Sequence, residues 1–271
     1  MSSSVTSFPE QPFFFESAHK QLYGQLGVPA SASNLREGVI FCAPAPYEVK
    51  KFHWTQRQIA QRLQMAGYYT LRFDYFATGD SEGESRDYDL NQCRANIQDA
   101  IQYMKSSGLI RRISLVATRL ACPLALQAVA TERVRKLILI DPILDGSACL
   151  TEAQAMQETM LQLHLRNAPS YAPSALYGQL LGIPHQAYLL WQLQNLEGLP
   201  ATIKAKAATI ITSQGCPDPA DLIEHLTSRL EEVRFMRISD NLKWGNARAL
   251  QFQDFPNQLI HTVISAIRGA S

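Results

Sequence analysis

Arg72-Phe73-Asp74-Tyr75-Phe76-Ala77-Thr78-Gly79-Asp80-Ser81-Glu82-Gly83 is the stretch on which the reading of the fold turns. It starts inside an apolar run, Tyr68–Tyr75, and passes into small and polar residues around two glycines. A short apolar run that stops at such a cluster reads as a buried strand entering a loop. Five other runs have the same form: Gly38–Ala43, Ile113–Thr118, Val134–Ile140, Ala208–Ser213 and Val233–Ile238. Between them lie helical stretches at Trp54–Ala66, Leu90–Ser106, Pro123–Thr131, Asp221–Leu230 and Pro256–Ile267. In the second, Cys93, Ile97, Ile101 and Met104 form one apolar stripe. Strands alternating with helices predict an α/β fold, a mostly parallel, doubly wound sheet. Ahead of this pattern, Pro12–Glu16 and Gln21–Val28 predict a hairpin around Ser17–Lys20.

One interval breaks the rhythm. From Ile140 to Ala208 the chain is far longer than an ordinary crossover. It holds helix-like segments at Thr151–Leu165, Ser174–Leu181 and His185–Leu196, separated by Pro169, Pro173 and Pro184. A helical insertion over a parallel sheet reads as a cap. The expected organisation is a core over 1–144, a helical cap over 145–204 and the rest of the core over 205–271. Met156, Met160, Leu163, Tyr188, Leu189 and Trp191 are expected to face the sheet's carboxyl ends or the cap's own core.

Composition narrows the partners. The 271 residues suffice for a full core, and 25 Lys+Arg against 24 Asp+Glu leave no general attraction to nucleic acid or anionic membrane. Five scattered cysteines, none in a CxxC pair, predict reduced thiols and no metal site. No cofactor motif is present. No stretch approaches the ~20 apolar residues of a membrane span, and the short apolar run Phe13–Phe15 is no signal peptide. The expectation is a cytoplasmic protein that handles a small molecule, its oligomeric state left open.

Chemistry concentrates after the strands, where open α/β sheets bind ligands. Cys42-Ala43-Pro44-Ala45-Pro46-Tyr47-Glu48 follows the first buried strand and leads to His53; its two prolines remove two N–H donors. Ala117-Thr118-Arg119-Leu120-Ala121-Cys122 follows the central strand. Ile140-Asp141-Pro142 places an acid at the next carboxyl edge, and Asp218 follows the strand after that. The last strand leads into Ser239-Asp240-Asn241-Leu242-Lys243-Trp244-Gly245-Asn246, which contains no histidine.

The Asp74–Gly83 run resembles the D-x-R-G-x-G-x-S-x-G loop of α/β-hydrolases, with Phe76 and Ala77 where Arg-Gly is usual. Cys42–Pro44, Arg72–Gly83, Thr118–Ala121, Asp141–Gly146 and Tyr177–Gly182 together look similar to the exosortase-associated hydrolases of that superfamily. The resemblance implies an α/β-hydrolase fold with a helical cap insertion. It also implies a nucleophile elbow, G-x-S-x-G, at Ala117–Ala121, where Arg119 takes the serine position. A guanidinium stays protonated and cannot accept an acyl group.

Three readings follow. The first is a non-serine enzyme, a lyase, cyclase or acyl-transfer catalyst of a biosynthetic pathway, acting on an acyl or carbonyl substrate, free or carrier-linked. In it Arg119 binds an anionic group and Asp141, Glu48 or His53 moves protons. The second is an inactive relative that binds a ligand or a partner. The third is a thioesterase or esterase with a displaced nucleophile, Cys122 or Thr118. Tyr47, Thr118, Trp191 and Trp244 are the expected substrate contacts.

Overall fold

The computed structural model describes residues 10–29, 35–164, 178–196, 198–252 and 255–269. A hairpin of β1 (Glu10–Ser17) and β2 (Lys20–Gly27) comes first, then β3 (Glu37–Cys42), α1 (Pro46–Met65) and β4 (Tyr69–Phe73). Next come α2 (Leu90–Ser106), β5 (Arg112–Thr118), α3 (Ala121–Ala128) and β6 (Lys136–Ile140). The inserted segment contributes α4 (Gly146–His164), the small hairpin β7 (Gln179–Leu180) and β8 (Ile183–Pro184), and α5 (Ala187–Gln194). The chain then returns through β9 (Ala207–Thr212), α6 (Ala220–Thr227), β10 (Glu232–Arg237) and α7 (Asn257–Arg268).

Eight strands form one mixed sheet in the order β1-β2-β4-β3-β5-β6-β9-β10. β2 runs antiparallel to both neighbours, and the pairs from β4 to β10 are parallel. The inner strands are apolar throughout because both faces are covered. β3 turns Ile40 and Cys42 to one face and Val39 and Phe41 to the other; β6 does the same with Leu137 and Leu139 against Ile138 and Ile140. α2, α3 and α6 close the first face, with Ile97, Leu124 and Leu222 in its core. α1 and α7 close the second with Phe52, Ile59, Leu259 and Val263.

The register places the site. Cys42 pairs with Ala117 and Thr118 with Ile140, so β3, β5 and β6 end level with one another. The residues just beyond these ends, the Ala43–Pro46 loop, Arg119 and Asp141, are therefore neighbours.

Three expectations need correction. α1 begins at Pro46, two turns before the expected Trp54, because proline at the first helical position forfeits no hydrogen bond. Tyr47, Glu48 and His53 thus ride on a helix and not on a loop. Of the helix expected at Ser174–Leu181, residues up to 177 lie outside the described ones; Gln179–Leu180 is a strand, flanked by left-handed Gly178 and Gly182. In α5, Leu189 and Leu193 take the buried face, which leaves Tyr188 and Trp191 on the outside at 51% and 55% exposure.

The Arg72–Gly83 stretch folds as β4 followed by a tight turn in which Asp74 accepts from the Asp80 amide at 3.0 Å. Gly79 sits at φ +53°, and a Cβ there would lie 2.0 Å from Asp74 Oδ2. Gly79→Ala is expected to cost about 1–3 kcal/mol through strain and displacement of Asp74. Urea unfolding of the variant measures this, and a midpoint equal to that of the parent would refute the reading of the turn.

Candidate functional site

Arg119 follows β5 at φ +57°, a left-handed backbone rare for a side chain with a Cβ. The turn is held by the Arg119 N–H donating to Ile140 O at 2.9 Å and the Cys122 N–H donating to Arg119 O at 3.0 Å. This is the sharp strand-to-helix geometry that the resemblance implied, kept without either glycine.

The side chain is 6% exposed and carries a full charge, so burial must be offset by partners. Arg119 Nε donates to Glu48 Oε1 at 3.0 Å, and Nη2 donates to Glu152 Oε2 at 2.8 Å. Glu48 comes from the first turn of α1 and is fully buried; Glu152 comes from α4 and is partly exposed. The guanidinium also lies over the indole of Trp244, 5.2 Å from the ring centroid, a cation–π contact. Burial works against the Arg119 charge, but the two carboxylates outweigh it and hold the group protonated. Burial pushes the Glu48 carboxyl up, Arg119 pulls it back, and the like charge of Glu152 adds to the rise. Glu48 Oε2 is buried with no hydrogen-bond partner among the described residues.

Asp141, at φ +44° beyond β6, is also buried. It accepts from the Ser213 amide at 2.6 Å, the Ser213 hydroxyl at 2.7 Å and Trp244 Nε1 at 2.7 Å. Trp244 belongs to the loop after β10, where the resemblance implies the general-base histidine. Trp244 thus touches both Arg119 and Asp141, and both the guanidinium and the indole are hydrogen-bond donors only.

The remaining sequence candidates are placed as follows. Cys122 is fully buried; its thiol donates to Ala117 O at 3.4 Å, and burial pushes its pKa well up, which suppresses thiolate. Thr118 is fully buried, its hydroxyl unpartnered among the described residues. Tyr47 hydroxyl meets Cys149 Sγ at 3.5 Å. His53 is exposed at the cavity wall, and partial desolvation together with the nearby Arg72 and Arg57 charges pulls its pKa down, leaving it neutral at pH 7. Trp191 is not near Arg119: it stacks on Tyr188 in a separate groove on the outer side of α5. Asp218 is exposed and pairs with Arg237. Glu152 and Ser213 were not singled out in the sequence; nothing local marks Glu152, and Ser213 is marked only by ending the run before Asp218.

Two cavities lie beside the Ala43–Pro46 loop. One, about 450 Å³, is walled by Pro44, Pro46, His53, Tyr75, Thr78 and Tyr88. The other is a small apolar chamber of about 40 Å³ under the inserted segment, lined by Tyr47, Leu120, Cys149, Leu189 and Leu193. They share Pro46, Tyr88 and Ile183, and neither is lined by Arg119. Among the described residues no cluster of three or more His, Cys, Asp or Glu could hold a metal ion, and no helix is long and apolar enough to cross a membrane.

Removing Arg119 leaves two adjacent carboxylates, one of them wholly buried. Arg119→Met is expected to destabilise the fold by about 3–5 kcal/mol near neutral pH. Without the arginine the folded-state pKa of Glu48 rises further above its unfolded value. The deficit is therefore smallest in acid and grows as pH climbs through that folded pKa. Thermal melts of parent and variant across pH 5–8 test this; a deficit independent of pH would count against the coupling.

No protein-family model and no curated protein matches this sequence. Solved structures do match. The ferulic-acid complex of Est1E from Butyrivibrio proteoclasticus superposes with a TM-score of 0.62 at 15% identity, over 94% of this chain and 99% of that one. A hydrolase from Agrobacterium vitis S4 gives 0.63 at 17% identity, over 96% and 98%. The α/β hydrolase GrgF from Penicillium sp. sh18 gives 0.55 at 23%, over 87% and 92%. With the strand order above, these similarities establish that the chain has the α/β-hydrolase fold.

Proposed function

We propose that this chain is a non-hydrolytic binding protein built on the α/β-hydrolase fold, its ligand a small acyl or carbonyl compound, free or carrier-linked. The sequence ranks a non-serine enzyme first; the geometry favours the binding reading instead. The observation that carries it is the Arg119–Trp244–Asp141 contact at the triad positions. Both guanidinium edges are engaged by Glu48 and Glu152, so a substrate anion would have to displace a carboxylate. Neither Cys122 nor Thr118, both fully buried, is offered to a substrate. In support of a small-molecule ligand, the cavity beside the Ala43–Pro46 loop falls in the usual size range of such sites. The apolar chamber beyond it suits a short acyl tail, and α4 and α5 of the inserted segment cover it with Cys149, Leu150, Leu189 and Leu193. The neighbour Est1E holds ferulic acid, an acyl compound. The motif resemblance to the exosortase-associated hydrolases is consistent with a role in a biosynthetic pathway.

The enzyme reading keeps one specific support: a neutral His53 on the cavity wall can act as a general base.

The parent protein is expected to take no label from a fluorophosphonate probe and to leave p-nitrophenyl esters intact. Arg119→Ser alone should stay unlabelled, because Trp244 cannot accept the serine proton. Arg119→Ser combined with Trp244→His should gain labelling, since Asp141 already waits to orient the ring. Labelling or ester hydrolysis by the parent overturns the proposal, and turnover that His53→Ala abolishes would restore the enzyme reading.

A further inference from the structure

A separate groove of about 390 Å³ lies between the start of α2, α3 and the outer face of α5, within the range of small-molecule sites. Its wall carries the two aromatic residues that the packing of α5 leaves outside. Tyr188 and Trp191 are more than half exposed and lie parallel, centroids 5.6 Å apart at an interplanar angle of 10°. A single exposed aromatic needs no explanation, but a stacked pair beside a concave surface makes a flat apolar platform.

Among the described residues Arg94 is the only charged side chain lining the rest of the groove, and it makes no ion pair with them. Asn91 and Asn195 add amides; Asn195 Nδ2 donates to Trp191 O at 2.8 Å, which leaves its carbonyl oxygen to accept. The wall between helices is already fixed. Gln192 accepts from the Leu90 amide at 3.0 Å and donates to Asp89 at 2.9 Å, so α5 is tied to the start of α2 before any ligand arrives. The positive end of the α2 dipole opens here as well.

We propose that this groove binds an acidic sugar, a pyranose bearing a carboxylate. The apolar face of such a ring stacks on an aromatic plane, its edge hydroxyls pair with amides, and its carboxylate fits the planar fork of an arginine. Among the described residues no carboxylate lines the groove to compete for Arg94. The site is independent of the elbow: it shares no lining residue with either cavity there.

The test is a titration of the full chain with a trimer of galacturonic acid, followed by tryptophan fluorescence and calorimetry. Saturable binding is expected, at least tenfold tighter than for a neutral trisaccharide of the same size. Trp191→Ala should weaken the acidic trimer tenfold or more, and Arg94→Gln should erase the preference for the acid while leaving the melting temperature unchanged. Fluorophosphonate labelling or ester hydrolysis by the parent, which would overturn the binding reading of the elbow, leaves the outcome of this titration untouched, so the two proposals fail separately. No saturation by about 10 mM, equal affinity for the neutral sugar, or tighter binding of adenosine monophosphate than of the trimer would each overturn the proposal.

Discussion

The ion cluster of Arg119 with Glu48 and Glu152 is the interaction on which the upper half of the structure depends. A guanidinium buried at the tip of the central strand is tolerable only if opposing charge is brought to it, and the two carboxylates come from different elements. Glu48 ties the tip to α1 and Glu152 ties it to α4, so one side chain joins the sheet, its flanking helix and the inserted segment. The indole of Trp244 covers a third side and is itself packed on Phe52 of α1, with centroids 5.5 Å apart. Burial is what raises the Glu48 carboxyl despite its arginine partner, and the like charge of Glu152 adds to the rise.

At the carboxyl ends of the central strands the contacts run from Arg119 to Trp244 to Asp141. An indole presents one N–H and no basic nitrogen, so Trp244 satisfies the aspartate without taking a proton. Asp141 keeps its orienting contacts: two bonds from Ser213 and one from Trp244 fill its acceptor sites. The elbow backbone stays strained at φ +57°, although arginine gains nothing in reactivity from it. The turn is held by backbone hydrogen bonds to Ile140 O and from the Cys122 N–H, while the ion pairs fix the side chain.

Most of the architecture was legible because a strand covered on both faces is an uninterrupted apolar run, and β3, β5, β6 and β9 are all of that kind. The elbow was legible from Thr118-Arg119-Leu120 directly after the central run. Glu48 was harder: Pro44 and Pro46 read as a stiff loop, whereas Pro46 opens a helix and turns Glu48 inward beside Arg119. Glu152 gave no local signal, since its role arises from a contact between α4 and the elbow that no spacing in sequence encodes. Trp191 was misplaced for a related reason. Apolar residues at 188, 189, 191 and 193 leave two overlapping faces of α5 open, and only the packing of Leu189 and Leu193 decides which one is buried.

The distribution of empty space points the same way as the side chains. An acyl-transfer site needs room beside the residue after the nucleophile, where amide donors meet the developing oxyanion. Here that residue, Leu120, faces a chamber of only about 40 Å³, and the opposite loop carries Pro44 and Pro46, which lack N–H groups. The larger cavity lies along α1 beside His53 and the Asp74–Gly79 turn. Arg119 lines neither cavity, so the buried guanidinium at the elbow tip and the volume that could hold a ligand are separate features of the fold.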